Sequence, residues 1–179
     1  MNIDLQIFFW INSVAGKVSV IDFVAIFCAK YLYILMGIVV LSYIFVGRDY
    51  LSKRKNQLMV VSGLASVITG RLVIVEIIKR VVDRPRPFVD NVVTQLVQYE
   101  PNFSFPSGHA AFAFALAGAV IIYNKKVGLW LILVALLISL SRVYVGVHYP
   151  FDILVGGLIG LASGLITGII FKKRFMGSN

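Results

Sequence analysis

The chain has 179 residues, 59% of them hydrophobic and 14% charged, with a formal net charge of +9 and a mean hydropathy of +0.90. A soluble globular domain is nearer ~45–50% apolar, and several runs here exceed the ~18 residues that mark a membrane-crossing helix. Strand-like alternation is not apparent, which argues against a membrane barrel. The cations fall in short clusters between apolar runs, the pattern of membrane topology rather than of a nucleic-acid surface, so no nucleic-acid partner is expected. Cys28 is the only cysteine, which excludes an intramolecular disulfide and a cysteine-based zinc site. The start, Met1-Asn2-Ile3-Asp4, has no basic region and no small-residue cleavage pattern before the first span, so no cleavable signal peptide is expected. The expectation is an all-α polytopic membrane protein: a bundle of five to six helices forming one membrane-embedded domain over 1–179.

In chain order, Ile3–Val14 is apolar and aromatic (Phe8, Phe9, Trp10) but too short to cross a bilayer. It is expected to lie on the interface as a helix. A first span covers Ile21–Val46, a basic loop Gly47–Asn56, and a second span Gln57–Ile78. A long polar stretch follows, Lys79–Phe105, broken by Pro85, Pro87 and Pro101. The third span covers Ser107–Tyr123, a tight turn Asn124-Lys125-Lys126, and the fourth span Gly128–Val145. The fifth runs Pro150–Phe171 into the basic tail Lys172-Lys173-Arg174. It carries Gly156, Gly160, Gly164 and Gly168 on one helical face, and the third span is rich in alanine from Ala110 to Ala119. Small faces let helices approach closely in lipid, so spans three and five are expected to pack tightly and bring His109 near His148.

The positive-inside rule places Lys53-Arg54-Lys55, Lys125-Lys126 and Lys172-Lys173-Arg174 on the cytoplasmic side. Threading five spans from there puts the polar stretch and the corner between spans four and five on the opposite face. Three motifs then share that face: Lys79-x6-Arg86-Pro87, Pro106-Ser107-Gly108-His109, and Ser141-Arg142-x5-His148-x3-Asp152. Arg80, Arg84 and Arg86 also fall outside, and are assigned to the site rather than to topology.

The motifs share a chemistry. Lys79, Arg86 and Arg142 gathered on one surface repel one another and need an anion, and a guanidinium fork matches phosphate oxygens. Pro106 suits the entry to a helix, leaving the amides of Ser107, Gly108 and His109 free at its N-terminus, where phosphate binds. His109 and His148 are the only histidines. Asp152, in the first turn of span five, is placed to hold one imidazole nitrogen of His148 protonated and leave the other to attack. His109 is then the general acid for the leaving oxygen. A plain helix-dipole role for Asp152 fits the same position.

These segments resemble the signature of the type 2 phosphatidic acid phosphatase superfamily, membrane relatives of the vanadium haloperoxidases, and match its pattern from Lys79 to Asp152 without a departure. The resemblance implies a haloperoxidase-like helical core and metal-independent hydrolysis of a lipid phosphate or diphosphate, with no cofactor and no metal. It implies that His148 becomes a phosphohistidine, that Asp152 orients it, and that His109 serves as acid and then activates water. It assigns Lys79, Arg86, Ser107, Gly108 and Arg142 to holding the phosphate.

A site fed from the bilayer implies a membrane lipid phosphate, with Phe88, Tyr99, Phe103 and Phe105 expected at headgroup level. The short chain with an interfacial start is similar to small bacterial undecaprenyl-diphosphate phosphatases, which implies a multi-pass cell-membrane enzyme acting at the outer face. Phosphatidylglycerophosphate and phosphatidate phosphatases share the motifs. A non-catalytic lipid-binding or transport protein and a phosphotransferase stay open as other classes. Asp22, Lys30, Arg71 and Glu76 fall inside predicted spans, where charge is costly and is expected to pair or snorkel. Arg71, the deepest of span two, is expected to face the bundle. Glu76, within helical reach of Lys79 and Arg80, is expected to hold Lys79.

Overall fold

The computed structural model describes residues 3–99 and 102–177. Met1 and Asn2, on which the signal-peptide expectation partly rests, and Pro101 lie outside the described residues. The described residues form helices and connecting turns without a strand. Helix α1 is Ile3–Asn12. Helices α2 (Ser19–Phe27) and α3 (Tyr33–Ser42) replace the expected straight first span. A π-helical turn, Cys28–Leu32, joins them, and the pair bends by 50°. A π-bulge is a recognised cause of such a bend.

Helix α4 (Tyr50–Val67) starts inside the segment expected to be a loop. The cause is a cap: Asp49 accepts from the backbone N–H of Ser52 at 2.9 Å and from its hydroxyl at 2.7 Å, satisfying donors that a helix start leaves unpaired. A second π-helical stretch, Ile68–Ile74, leads into α5 (Val75–Val82). Asp83, at φ 46°, ends that helix in a left-handed turn. The short α6 is Pro87–Asp90, with proline in its first turn.

Helix α7 (Gly108–Tyr123) is capped by Ser107, α8 (Lys125–Tyr144) by Asn124, and α9 runs Pro150–Met176. The last helix therefore continues past Phe171 through the basic tail. Tyr50–Asp90, Lys125–Tyr144 and Pro150–Met176 are each long and apolar enough to cross a membrane, and the bent α2–α3 pair is long and apolar enough only when its two helices are counted together. Helix α7, at 16 residues, is shorter and sits at the centre, packed against α9, α8 and α4. The protein is a multi-pass membrane protein.

The α7–α9 contact is the most extensive of the helix pairs, as the glycine spacing predicts. A Cβ on Gly156 would lie 2.3 Å from the Ser107 carbonyl oxygen, one on Gly160 2.2 Å from that of Ala111, and one on Gly164 2.3 Å from that of Ala115. These obstacles are backbone, which cannot swing aside. The basic clusters meet at the far end: Arg54 donates to the Phe175 carbonyl at 3.2 Å and Lys172 to that of Ile122 at 3.1 Å.

Helix α1 crosses the motif end, packed on α8 and α9. Phe8 is fully buried, with its ring 5.5 Å from that of Tyr149. The Asn12 amide donates to the carbonyls of Thr94 and Tyr144, both at 2.9 Å. Trp10 faces outward.

Gly160→Ala is expected to destabilise the protein by about 1–3 kcal/mol, the usual cost of overpacking. At Gly63 a Cβ meets only the flexible end of Leu116, at 3.3 Å, so Gly63→Ala should cost less. Thermal unfolding of both variants in detergent measures the difference.

Candidate active site

The turn between α8 and α9 carries His148. Gly146 makes it possible: its φ is +83°, and a Cβ there would lie 2.8 Å from the Thr94 carbonyl oxygen. The Val147 amide folds back onto the Arg142 carbonyl at 3.2 Å. His148 ends up buried, with Nδ1 3.4 Å from Asp152 Oδ2 and Nε2 3.3 Å from Arg86 Nη1. Asp152 Oδ2 also accepts from the Tyr149 amide at 2.9 Å, capping α9. Its other oxygen accepts from Arg84 Nη1 at 2.8 Å. The carboxylate is thus fixed on both oxygens, and a fixed carboxylate fixes the imidazole beside it.

Two buried guanidiniums face this pair. Arg86 donates from Nε and Nη2 to Asn102 Oδ1 at 2.8 and 2.7 Å, and from Nη1 to the Val147 carbonyl at 2.9 Å. Arg142 donates from Nη1 to the Ala29 carbonyl at 3.1 Å. Its Nε and Nη2 are buried without a hydrogen-bond partner among the described residues, and buried donors of that kind call for an acceptor. Tyr99 lies under both, 4.2 Å from the Arg86 guanidinium carbon and 4.8 Å from that of Arg142, a cation–π arrangement that offsets part of their repulsion. Lys79 on α5 is half-buried and within Coulombic range of Arg71, Glu76, Arg86 and Arg142.

The start of α7 is tied to the start of α9, because the Ser107 amide donates to the Asp152 carbonyl at 2.9 Å. This corrects one expectation: that amide is not free for an anion. The amides of Gly108 and His109, in the first helical turn, have no intrahelical acceptor by position. Gly108 lies against Arg71, whose Nε would be 2.2 Å from a Cβ at that position. The His109 ring meets Tyr33 edge-on, centroids 4.6 Å apart, within Coulombic range of His148, Arg142, Arg71 and Arg86.

All the residues singled out by the motifs therefore converge at one end of the bundle. Other expectations do not hold. Glu76 forms its ion pair with Arg71 and acts on Lys79 through its charge alone. Arg80 is exposed and outside the cluster. Tyr99 is a platform under two arginines rather than a headgroup anchor, and Phe88 packs beside it against Val97, Val145 and Val147. Asp22 accepts from the Tyr144 hydroxyl at 2.8 Å and from the Gly16 amide at 3.1 Å.

Of the cations assigned to the site from the sequence, Arg84 does reach it. Two supports that sequence reasoning missed, Asp4 and Asn102, also hold the site from outside the motifs. Arg84 bridges Asp152 to Asp4 of α1, donating to Asp4 Oδ2 at 2.6 Å, and stacks 3.9 Å from the Tyr149 ring centre. Asp4 also accepts from the Phe151 amide at 2.9 Å. Asn102 fixes Arg86. No spacing rule links Asp4 to Asp152 or Asn102 to Arg86.

Burial, reinforced by the charges of Arg142, Arg86 and Lys79, holds His148 well below the ordinary imidazole pKa. The unfolded chain then binds the extra proton more readily than the folded one, so the stability tied to neutral His148 is complete above about pH 6.5 and is lost as pH falls below it. Thermal unfolding across about pH 4–8 is expected to show this acid loss, and His148→Asn should reduce it.

Residues 60–176 match the PAP2 superfamily. Undecaprenyl-diphosphatase BcrC of Bacillus subtilis is 31% identical over 169 residues, covering 94% of this chain and 82% of that protein. A putative undecaprenyl-diphosphatase of Escherichia coli, YbjG, is 29% identical over 175 residues, covering 96% and 84%. Among solved structures, LpxE of Aquifex aeolicus superposes with a TM-score of 0.68 at 28% identity, covering 93% of this chain and 95% of that one. A Bacillus subtilis transmembrane PAP2 type phosphatidylglycerolphosphate phosphatase shares the fold, with a TM-score of 0.57 at 21% identity over 96% of each chain. With its motifs assembled at one end of the same helical bundle, the chain belongs to the PAP2 superfamily.

Proposed function

We propose that the protein is a membrane lipid phosphatase that converts undecaprenyl diphosphate to undecaprenyl phosphate and inorganic phosphate through a phosphohistidine on His148. The observation that carries the chemistry is the placement of the His148 ring. Its Nδ1 faces a buried carboxylate and its Nε2 faces the buried Arg86 guanidinium, with a second buried guanidinium, that of Arg142, within Coulombic range and carrying two unpaired donors. The substrate class is supported by the similarity to undecaprenyl-diphosphatases over most of the chain.

Asp152 keeps the proton on Nδ1, so the Nε2 lone pair points at the anion site. The terminal phosphoryl group lies between Arg86, Arg142 and Lys79, which meet its charge as it grows in the transition state. Nε2 attacks phosphorus, the bond from phosphorus to the bridging oxygen breaks, and His109 gives that oxygen a proton. His109, now neutral, takes a proton from water as the water attacks the phosphohistidine. Phosphate leaves and His148 is regenerated. Ser107 and the first-turn amides of α7 hold the remaining oxygens. The protein cations supply the positive charge that such a transition state needs, so the reaction is metal-independent in this reading.

The site faces the non-cytoplasmic side. Support comes from the basic clusters of α4 and α9, which meet at the opposite end of the bundle, where the positive-inside rule puts the cytoplasm.

Phosphate release by purified protein from undecaprenyl diphosphate, phosphatidylglycerophosphate and phosphatidate, with EDTA present, tests this. The diphosphate is expected to be cleaved fastest and EDTA to have no effect. His148→Ala should abolish release and His109→Gln should slow it about 10²–10⁴-fold. Undiminished release by His148→Ala would sink the mechanism, and preference for phosphatidate would sink the substrate.

A further inference from the structure

Arg71 is a buried-face cation that the reaction described above does not use. It sits in the π-helical stretch Ile68–Ile74 between α4 and α5, a local widening that is common at functional sites. Its side chain is 26% exposed and lies against Gly108. Any side chain at position 108 would collide with its guanidinium. Glu76, two-fifths exposed, pairs with Arg71 from the next turn and holds it at the first turn of α7. Placing an arginine deep in a span is costly, and a surface-directed pair with Glu76 would not need the guanidinium to press on the catalytic helix.

The position matters because of what else is there. The attacking face of His148 looks toward Arg86, with Arg142 within Coulombic range. His109 opens α7 beside Arg71, and in the proposed mechanism it protonates the leaving oxygen. Arg71 therefore stands on the leaving-group side of the transferred phosphorus, next to the amides of Gly108 and His109. A phosphate monoester of a lipid alcohol presents only a carbon-bound oxygen there. A diphosphate presents a second phosphate.

We propose that Arg71 forms a second phosphate subsite that binds the leaving phosphate of a diphosphate substrate and sets the preference for diphosphates over monophosphates. Glu76 pre-positions the guanidinium, and the fork of Arg71 is suited to two oxygens of one phosphate. This rests on the reading of His148 as nucleophile and His109 as acid, and it adds the residue that distinguishes the substrate's phosphate number.

The test uses the full chain in detergent and reads ratios. One ratio is kcat/KM for farnesyl diphosphate over farnesyl phosphate. The other is the inhibition constant of inorganic phosphate over that of inorganic pyrophosphate, measured on whichever lipid is cleaved. Arg71→Gln is expected to lower both ratios at least tenfold, within the range for a hydrogen bond to a charged group, and Arg71→Lys to retain part of each. The double variant Arg71→Gln with Glu76→Gln removes the carboxylate left alone and should behave like Arg71→Gln. If Arg71→Gln changes activity on both substrates equally or on neither, or if wild-type protein binds pyrophosphate no better than phosphate, the subsite is wrong. Preference of the wild type for lipid monophosphates would overturn the substrate reading separately, because the inhibitor ratio is independent of which lipid is cleaved.

Discussion

The site depends on one close contact, that of the glycine face of α9 with the backbone of α7. Gly156, Gly160 and Gly164 bring the two helices to a separation at which a single methyl group would strike a carbonyl oxygen. At that distance the Ser107 amide reaches the Asp152 carbonyl, joining the start of one helix to the start of the other. His109 and His148, far apart in sequence, then share one end of the bundle. In lipid there is little hydrophobic drive between helices, so close backbone packing is the force available to hold such a pair in register.

That contact creates an electrostatic problem that the rest of the end region offsets. Arg86 and Arg142 are both almost wholly buried. Isolated buried charges are strongly unfavourable, yet here each has fixed partners. Arg86 is held by Asn102 and the Val147 carbonyl, Arg142 by the Ala29 carbonyl, and Tyr99 lies under both. Asp152 is balanced by Arg84, which is balanced in turn by Asp4 on α1. The N-terminal helix is therefore part of the support for the carboxylate that orients His148. The remaining unpaired donors on Arg142 leave a net demand for an anion.

The two π-helical stretches belong to the same economy of position. One lies at the bend between α2 and α3, near Ala29 and Tyr33, which touch Arg142 and His109. The other turns Arg71 onto Gly108. Each inserts a wider turn into an otherwise regular span and so re-aims side chains that α-helical spacing would point elsewhere. The ion pair of Glu76 with Arg71 spans five residues, the interval of a π-helical turn.

Much of this was legible in the sequence. Apolar runs and their basic punctuation show the helical membrane bundle, the glycine repeat in α9 shows which helices pack closely, and the motif residues point to the proposed phosphate chemistry. Those signals are local, because they come from periodicity, helix ends and residue chemistry over a few turns. The sequence misplaced the start of α4, where the Asp49 cap was hidden beside a basic cluster. Partners distant in the chain were beyond its reach: Asp4 and Asn102 acquire their roles only through Arg84 and Arg86, Tyr99 becomes a cation platform only where Arg86 and Arg142 meet, and the Ser107 amide is taken by a carbonyl 45 positions later. The sequence by itself determined the membrane class and the candidate site residues, because hydropathy and side-chain chemistry belong to the residues. The tertiary structure decided which groups support them and how they are aimed, because those contacts exist only when separate helices close on one another.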